Sequence, residues 1–195
     1  MSRLFRALIV LLALGSCGSR DNTAPRNLDD ACSIVTERPQ YMRAFRAAER
    51  TWGVSPAVLM AMIYQESKFI ANNRTPHQFV LGVIPVGRQS SAYGYSQALD
   101  GTWADYQQDR GRWRARRDNI WDAADFMGWY MAQTTTETGV RIDDVRNQYL
   151  AYHDGRTGYL RGTHNSKAWL LRIANQTRQR ANVYAAQLAT CRAAR

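Results

Sequence analysis

The chain has 195 residues, of which 45% are hydrophobic, 11% aromatic and 22% charged. That is enough apolar material for one sizeable core, and it excludes wholesale disorder and a collagen-like repeat. The formal net charge of +10 favours an anionic partner such as nucleic acid, anionic lipid or an acidic polymer, without choosing among them. At the N-terminus Arg3 and Arg6 flank and precede an unbroken apolar run, Ala7 to Leu14. The run is too short to span a bilayer and has the size of a secretory leader's core. No later run approaches the roughly 20 apolar residues of a membrane span.

Leu14-Gly15-Ser16-Cys17 puts an aliphatic residue and two small residues before a cysteine. It resembles the bacterial lipobox, in which the leader is removed and the cysteine acylated. The alternative is an ordinary cleavable leader with an incidental cysteine. The lipobox reading makes 1–16 a signal peptide and Cys17 the lipidation site. Several acyl chains, at about 0.8 kcal/mol per buried CH2, anchor stably where a single chain does not. Residues 17–31 are polar and aperiodic and read as a flexible linker; 32–195 read as a single domain. Gly18 is not the aspartate associated with inner-membrane retention, so the expected place is the periplasmic face of the envelope, outer rather than inner membrane. Cys32 and Cys191 remain, at the two ends of the domain. In an oxidising compartment an even pair reads as a disulfide, the alternative being two unrelated buried thiols. Closing a loop of about 160 residues would contribute roughly 5 kcal/mol by loop entropy, often less in practice. With no CxxC and no HExxH, neither metal nor cofactor is expected.

The rest of the chain reads as mainly helix. Met42, Phe45, Ala48 and Trp52 mark an amphipathic helix over about 40–52, ended by Gly53. Ser55-Pro56 opens a second helix, running to about Ser67. From Phe69 to Ser91 prolines and glycines break the pattern around Phe79-Val80-Leu81-Gly82-Val83-Ile84, giving a long loop or short hairpin. Asp100 is expected to cap a helix holding Trp103 and Tyr106. Asp118 is expected to cap the next, with an Ile120, Ala124, Met127, Met131 stripe. Asp143 is expected to cap another that runs to His153 and stops at Gly155. Ser166 is expected to open the last, through Trp169, Ile173, Val183 and Leu188.

Only four glutamates occur, and Glu66 is unlike the other three. Leu59, Met62, Ile63 and Glu66 fall at i, i+3, i+4 and i+7, on one otherwise apolar helix face. A carboxyl placed there is desolvated, which disfavours its charge and raises its pKa. The negative end of the helix dipole acts in the same direction. A carboxyl protonated near neutral pH suits a general acid. From periodicity alone, an interior ion pair with an arginine is the stronger explanation of the position.

The neighbouring residues add a resemblance. Gln65-Glu66-Ser67-Lys68-Phe69 resembles the Glu-Ser-x-Phe motif of the soluble-type lytic transglycosylases (glycoside hydrolase family 23, related to goose-type lysozymes). Tyr93-Gly94-Tyr95-Ser96-Gln97 with Thr102 resembles the family's Gly-Leu-Met-Gln segment and following threonine. Asn119-Ile120 resembles the start of its Asn-Ile helix, and Ala151-Tyr152-His153-Asp154-Gly155 resembles Ala-Tyr-Asn-Ala-Gly. The motifs occur in family order over about 50–160. Three departures stand out: a longer stretch between Glu66 and Gly94, which could reshape one wall of the cleft; Tyr95-Ser96 for Leu-Met; and His153-Asp154 for Asn-Ala.

The resemblance implies a mainly α, lysozyme-like (α+β) fold with that loop or hairpin beside the active-site cleft. It implies cleavage of the β-1,4 bond between N-acetylmuramic acid and N-acetylglucosamine in peptidoglycan, with Glu66 as the single acid/base and a 1,6-anhydro product. Ser67, Tyr93, Gly94, Tyr95, Gln97, Tyr152 and His153 would bind the glycan or support Glu66. Alternatives are a hydrolytic muramidase of the same fold and a non-catalytic wall-binding lipoprotein. Partners would be glycan strands and, through the anchor, a membrane; the protein would be a monomer. Arg110, Arg112, Arg114, Arg116 and Arg117 around Trp113 read as a solvated face for wall carboxylates or membrane phosphates. Export argues against nucleic acid.

Overall fold

The computed structural model describes residues 22–81 and 83–194. The expected signal peptide and the acylation site Cys17 lie outside the described residues. Seven α-helices are described: α1 (Ala31–Glu37), α2 (Pro39–Trp52), α3 (Pro56–Ser67), α4 (Asp100–Arg110), α5 (Ile120–Thr138), α6 (Val145–Leu160) and α7 (Ala168–Thr190). One antiparallel hairpin, β1 (His77–Val80) with β2 (Ile84–Arg88), stands between α3 and α4, with a bulge between Gln78 and Phe79. None of the described helices is long and apolar enough to cross a membrane.

Helix α3 is the axis of the domain. Every residue from Ala57 to Ile63 is buried, because α3 is covered on several sides at once. It packs on α7, α2 packs on α5, and α6 bridges α5 and α7. A close approach of α2 to α5 is at Gly128, where an added Cβ would lie 2.4 Å from Trp52 Cδ1. Trp52 cannot withdraw easily, because its Nε1 donates to Asp125 at 2.8 Å. Asp125 also accepts from Tyr106 (2.7 Å) and Arg112 (3.0 Å), so one buried carboxylate joins α2, α4, α5 and the α4–α5 loop.

Cys32 and Cys191 form a disulfide with Cα atoms 5.5 Å apart. It joins α1, for which the sequence reading has no helix, to the end of α7. Residues 22–30, read from sequence as part of a flexible linker, lie against the domain. Leu28 packs on the core, and its carbonyl accepts from Tyr184 at 2.5 Å. Asp29 pairs with Arg180 at 3.0 Å, and its carbonyl accepts from Gln187 at 2.9 Å.

The helix boundaries differ from expectation in a consistent way. The cap of α5 is Asn119, whose Oδ1 accepts from Trp121 and Asp122, rather than Asp118. The cap of α6 is Asp144 rather than Asp143. Both expected caps are held sideways by an arginine two residues earlier, Asp118 by Arg116 and Asp143 by Arg141, each through two hydrogen bonds. Asp100 is the first residue of α4, not its cap, and its carboxylate meets Arg117 at 2.6 Å. Gly155 kinks α6 (φ 73°, ψ 155°) instead of ending it, and the helix resumes to Leu160. Ser166 sits in a 3-10 turn, and α7 begins at Ala168. Its buried face is Leu170, Ala174, Thr177, Ala181 and Tyr184, so Trp169 and Val183 are exposed instead of inward.

Gly128→Ala tests the α2–α5 contact. Replacing glycine within a helix ordinarily gains up to about 1 kcal/mol, but overpacking against a fixed indole costs about 1–3 kcal/mol. The clash is expected to win, lowering the unfolding free energy from urea titration by up to about 2 kcal/mol with an unchanged m-value. A variant as stable as the parent would show that Trp52 is free to move.

Candidate active site

Glu66 stands in the last turn of α3, on the same face as Leu59, Met62 and Ile63, which are completely buried. The helix ends abruptly after it. Lys68 (φ 52°) and Phe69 (φ 62°) both adopt the left-handed conformation without being glycine. Such residues cost of order 1–3 kcal/mol each and persist only where packing over-determines them. Here Phe69 is fully buried and stacks on Tyr41 with centroids 5.8 Å apart. The turn therefore fixes the last coil of α3, and with it the backbone that carries Glu66.

The carboxyl is half-buried as a residue, but its Oε1 is shut from solvent with no hydrogen-bond partner. Burial pushes its pKa up to about 7; a hydrogen bond from Tyr149 and the charge of Lys68 pull the other way without prevailing. No guanidinium is among these influences, so the interior Arg–Glu pair that periodicity left open is not what holds the group. Lys68 is itself held below its usual pKa, by desolvation first and then by Arg180.

One hollow adjoins this helix end, and a second lies among the 97–102 segment, α5 and α6. The first, of about 580 Å³, is lined by Tyr64, Gln65 and Lys68 of α3 and by Gln176 and Arg180 of α7, among others. The second, of about 250 Å³, is lined by Gln97, Thr102, Tyr130, Tyr152, His153 and Asp154, among others. Tyr152 feels the charge of Glu66, which together with burial pushes its phenol well above the usual range.

The residues singled out from sequence fall into two groups. Gln97, Tyr152 and His153 come together in the smaller hollow. Gln97 has a left-handed backbone (φ 49°), and its amide donates to the carbonyls of Asn73 (3.0 Å) and Gly94 (2.8 Å). The Tyr152 hydroxyl donates to the Ser96 carbonyl at 2.6 Å; the tyrosine that bonds Glu66 is Tyr149, one turn earlier on α6. His153 is exposed, edge-on to Trp169, with Nδ1 3.2 Å from Asp154. Gly94 (φ 81°) lets two chain segments meet, since a Cβ there would lie 2.1 Å from the Arg117 carbonyl oxygen. Tyr93 is half-buried between the Arg74 and Arg117 guanidiniums. Tyr95 and Ser67 are turned inward. Tyr95 is buried with its hydroxyl 3.0 Å from that of Tyr41, and Ser67 is buried with its hydroxyl donating to the Ile63 carbonyl.

Sequence reasoning missed Tyr149, Tyr64 and Arg180. Tyr149 lies three residues before Tyr152 and so shares its helix face, a signal that was there to use. Tyr64 and Arg180 carry no such signal, because their meeting depends on how α7 crosses α3. Asp154, a second carboxylate in the smaller hollow, is occupied: it accepts from Lys167 (2.7 Å) and Thr163 (2.8 Å), which hold its pKa below the usual carboxylate range against desolvation.

The profile of one family, described as the transglycosylase SLT domain, matches residues 5–191. The chain belongs to this family. Membership carries a transglycosylase-type function and peptidoglycan as the substrate of this SLT domain. No curated protein matches the chain significantly. The lysozyme-like, mainly helical architecture expected from sequence is the one described.

The raised pKa of Glu66 makes the stability of the SLT domain depend on pH. The folded form holds a proton that the unfolded chain releases near the ordinary value of 4.5. The contribution is therefore fully present below about 4.5 and is lost as pH rises to about 7, staying flat above. Glu66→Gln removes that slope. Denaturant titrations at pH 4.5 and pH 8 are expected to show the variant gaining about 1–3 kcal/mol relative to the parent at the higher pH. Equal parental and variant slopes would place the carboxyl in water.

Proposed function

We propose that the protein is a lytic transglycosylase that cleaves the β-1,4 bond between N-acetylmuramic acid and N-acetylglucosamine, with Glu66 as its only acid/base. The observation that carries the reading is the Glu66 carboxyl, whose buried Oε1 has no hydrogen-bond partner and whose pKa burial pushes up to about 7, held on a strained helix end. As acid, Glu66 protonates the glycosidic oxygen as the bond to the anomeric carbon breaks. As carboxylate, it then takes the proton of the muramyl C6 hydroxyl, whose oxygen attacks the anomeric carbon and closes the 1,6-anhydro ring. Proton donation and return balance, and no water is consumed. The N-acetyl group of the substrate stabilises positive charge at the anomeric carbon, so the second carboxylate of most glycosidases is not required.

Asp154 would be the obvious second carboxylate for a water-using muramidase, but its oxygens are engaged by Lys167, Thr163 and His153. That arrangement favours the single-acid reading. Gln97, Tyr152 and His153 would line the glycan's path in the smaller hollow, with Tyr93 and Gly94 shaping the wall behind it. Tyr149 would tune Glu66. The place of action would be the periplasm, on a lipid anchor at Cys17, at the outer membrane.

Digestion of purified sacculi separates the readings. Anhydro-muropeptides, lighter by one water than hydrolysed products, are the expected outcome. Reducing ends would identify a muramidase, and binding without release a wall-binding protein. Glu66→Gln is expected to lower the cleavage rate by about 10²–10⁴-fold or more while the thermal transition persists. The parental rate should fall as pH rises past about 7, where the carboxyl ionises. Parental activity in the variant would assign the acid elsewhere.

A further inference from the structure

The hairpin β1–β2 carries an apolar surface that the site does not use. Phe79, Val80, Leu81, Val83 and Val86 are between 49% and 86% exposed, and all four residues of β1 face solvent. These five are nearly half of the large exposed hydrophobics among the described residues, gathered on one protruding element. Contiguous apolar exposure of this kind marks a surface that meets something. Leu81, in the three-residue connection between the strands, adopts φ 54°, a left-handed conformation that favours asparagine, aspartate or glycine. A leucine there satisfies no local preference; it puts the most exposed of the five side chains (86%) at the tip.

The position of the hairpin names its occupant. The described chain begins at Asn22, whose carbonyl accepts from Ala71 at 3.2 Å, six residues before β1 starts. Only Gly18, Ser19, Arg20 and Asp21 separate Asn22 from Cys17. At about 3.5 Å per residue, Cys17 cannot be further than roughly 18 Å from this point. Asn22 is held against the segment that leads into the hairpin. The same neighbourhood holds Trp121, half-exposed at the start of α5 in a small hollow shared with Asn22 and Ala71. Exposed Arg74 and Arg88 flank the neck, and no acidic residue occurs from Thr75 to Ser90. An apolar tip, a basic neck and an exposed indole near Asn22 are the residue types that a lipid interface favours.

We propose that the hairpin inserts its tip into the outer part of the bilayer that holds the anchor, giving the domain a second membrane contact and a fixed orientation. The proposal rests on acylation at Cys17. The test uses the full chain purified from membranes, carrying Leu81→Cys labelled with a nitrobenzoxadiazole dye, its location verified by peptide mapping. The label is read in vesicles of phosphatidylethanolamine and phosphatidylglycerol with and without doxyl-labelled lipid. A tip seated about 5–10 Å into the headgroup boundary should brighten the dye about twofold and lose about half its emission to doxyl lipid. The same dye at Thr136→Cys should do neither, since Thr136 is roughly 24 Å along α5 from its Asn22 end. A Leu81 label indistinguishable from the Thr136 label overturns the proposal. So does brightening that needs glycan strands, or higher protein concentration, instead of lipid. The intact mass reports acylation separately: an acylated chain with an unquenched tip ends the hairpin proposal alone, whereas a quenched tip on an unacylated chain ends only the anchor reading.

Discussion

A carboxyl oxygen shut from water and left without a partner can be kept in place only by a backbone that cannot relax around it. That constraint organises this domain. Helix α3 is enclosed along its middle, and two left-handed residues lock its end. Full burial of a phenylalanine contributes about 1.5–3 kcal/mol, comparable to the cost of its own strained conformation. The Phe69–Tyr41 stack and the Tyr41–Tyr95 hydrogen bond then tie that turn to the segment bearing Gly94 and Gln97. Tyr152 closes the ring from α6 through the Ser96 carbonyl. Four stretches far apart in sequence thus hold one side chain.

Much of this was legible beforehand, and what was legible shares a cause. The apolar face of α3 follows from a 3.6-residue period, so Glu66 stood out as the polar member of a buried stripe. The disulfide followed from the pair of cysteines that remains once Cys17 is set aside. What escaped depended on tertiary placement. Tyr95 looks like a ring for a sugar to pack on, but Tyr41 draws it inward. Tyr152 looks like the partner of Glu66, yet the helix rotation gives that place to Tyr149. In α7 a one-residue error in phase exchanged Trp169 for Leu170. At α5 and α6 the acid nearest the predicted start was already engaged by a neighbouring arginine, so the next residue became the cap.

The positive charge has a similar history. Read as a run, the arginines between 110 and 117 form a face for an anionic polymer. In the folded chain Arg112 meets Asp122 and Asp125, Arg116 meets Asp118, and Arg117 meets Asp100. Arg110 lies over the Trp52 ring. Most of the run is therefore spent holding the α4–α5 connection, which carries the carbonyl of Arg117 against Gly94. Net charge reports how many cations a chain has; it does not report how many remain to greet a ligand.

The clasp between the two chain ends bears on mechanics. Asp29 and Leu28 are fastened to α7, and three residues after Asp29 the disulfide joins Cys32 to Cys191. Any pull on the N-terminus first peels those few residues and then arrives at a covalent bond. Beyond that junction the load divides between both arms of a closed loop, so fraying from either end halts there. Tension applied at the N-terminal side of Asp29 would therefore meet a covalent bond before it reached the helices that follow.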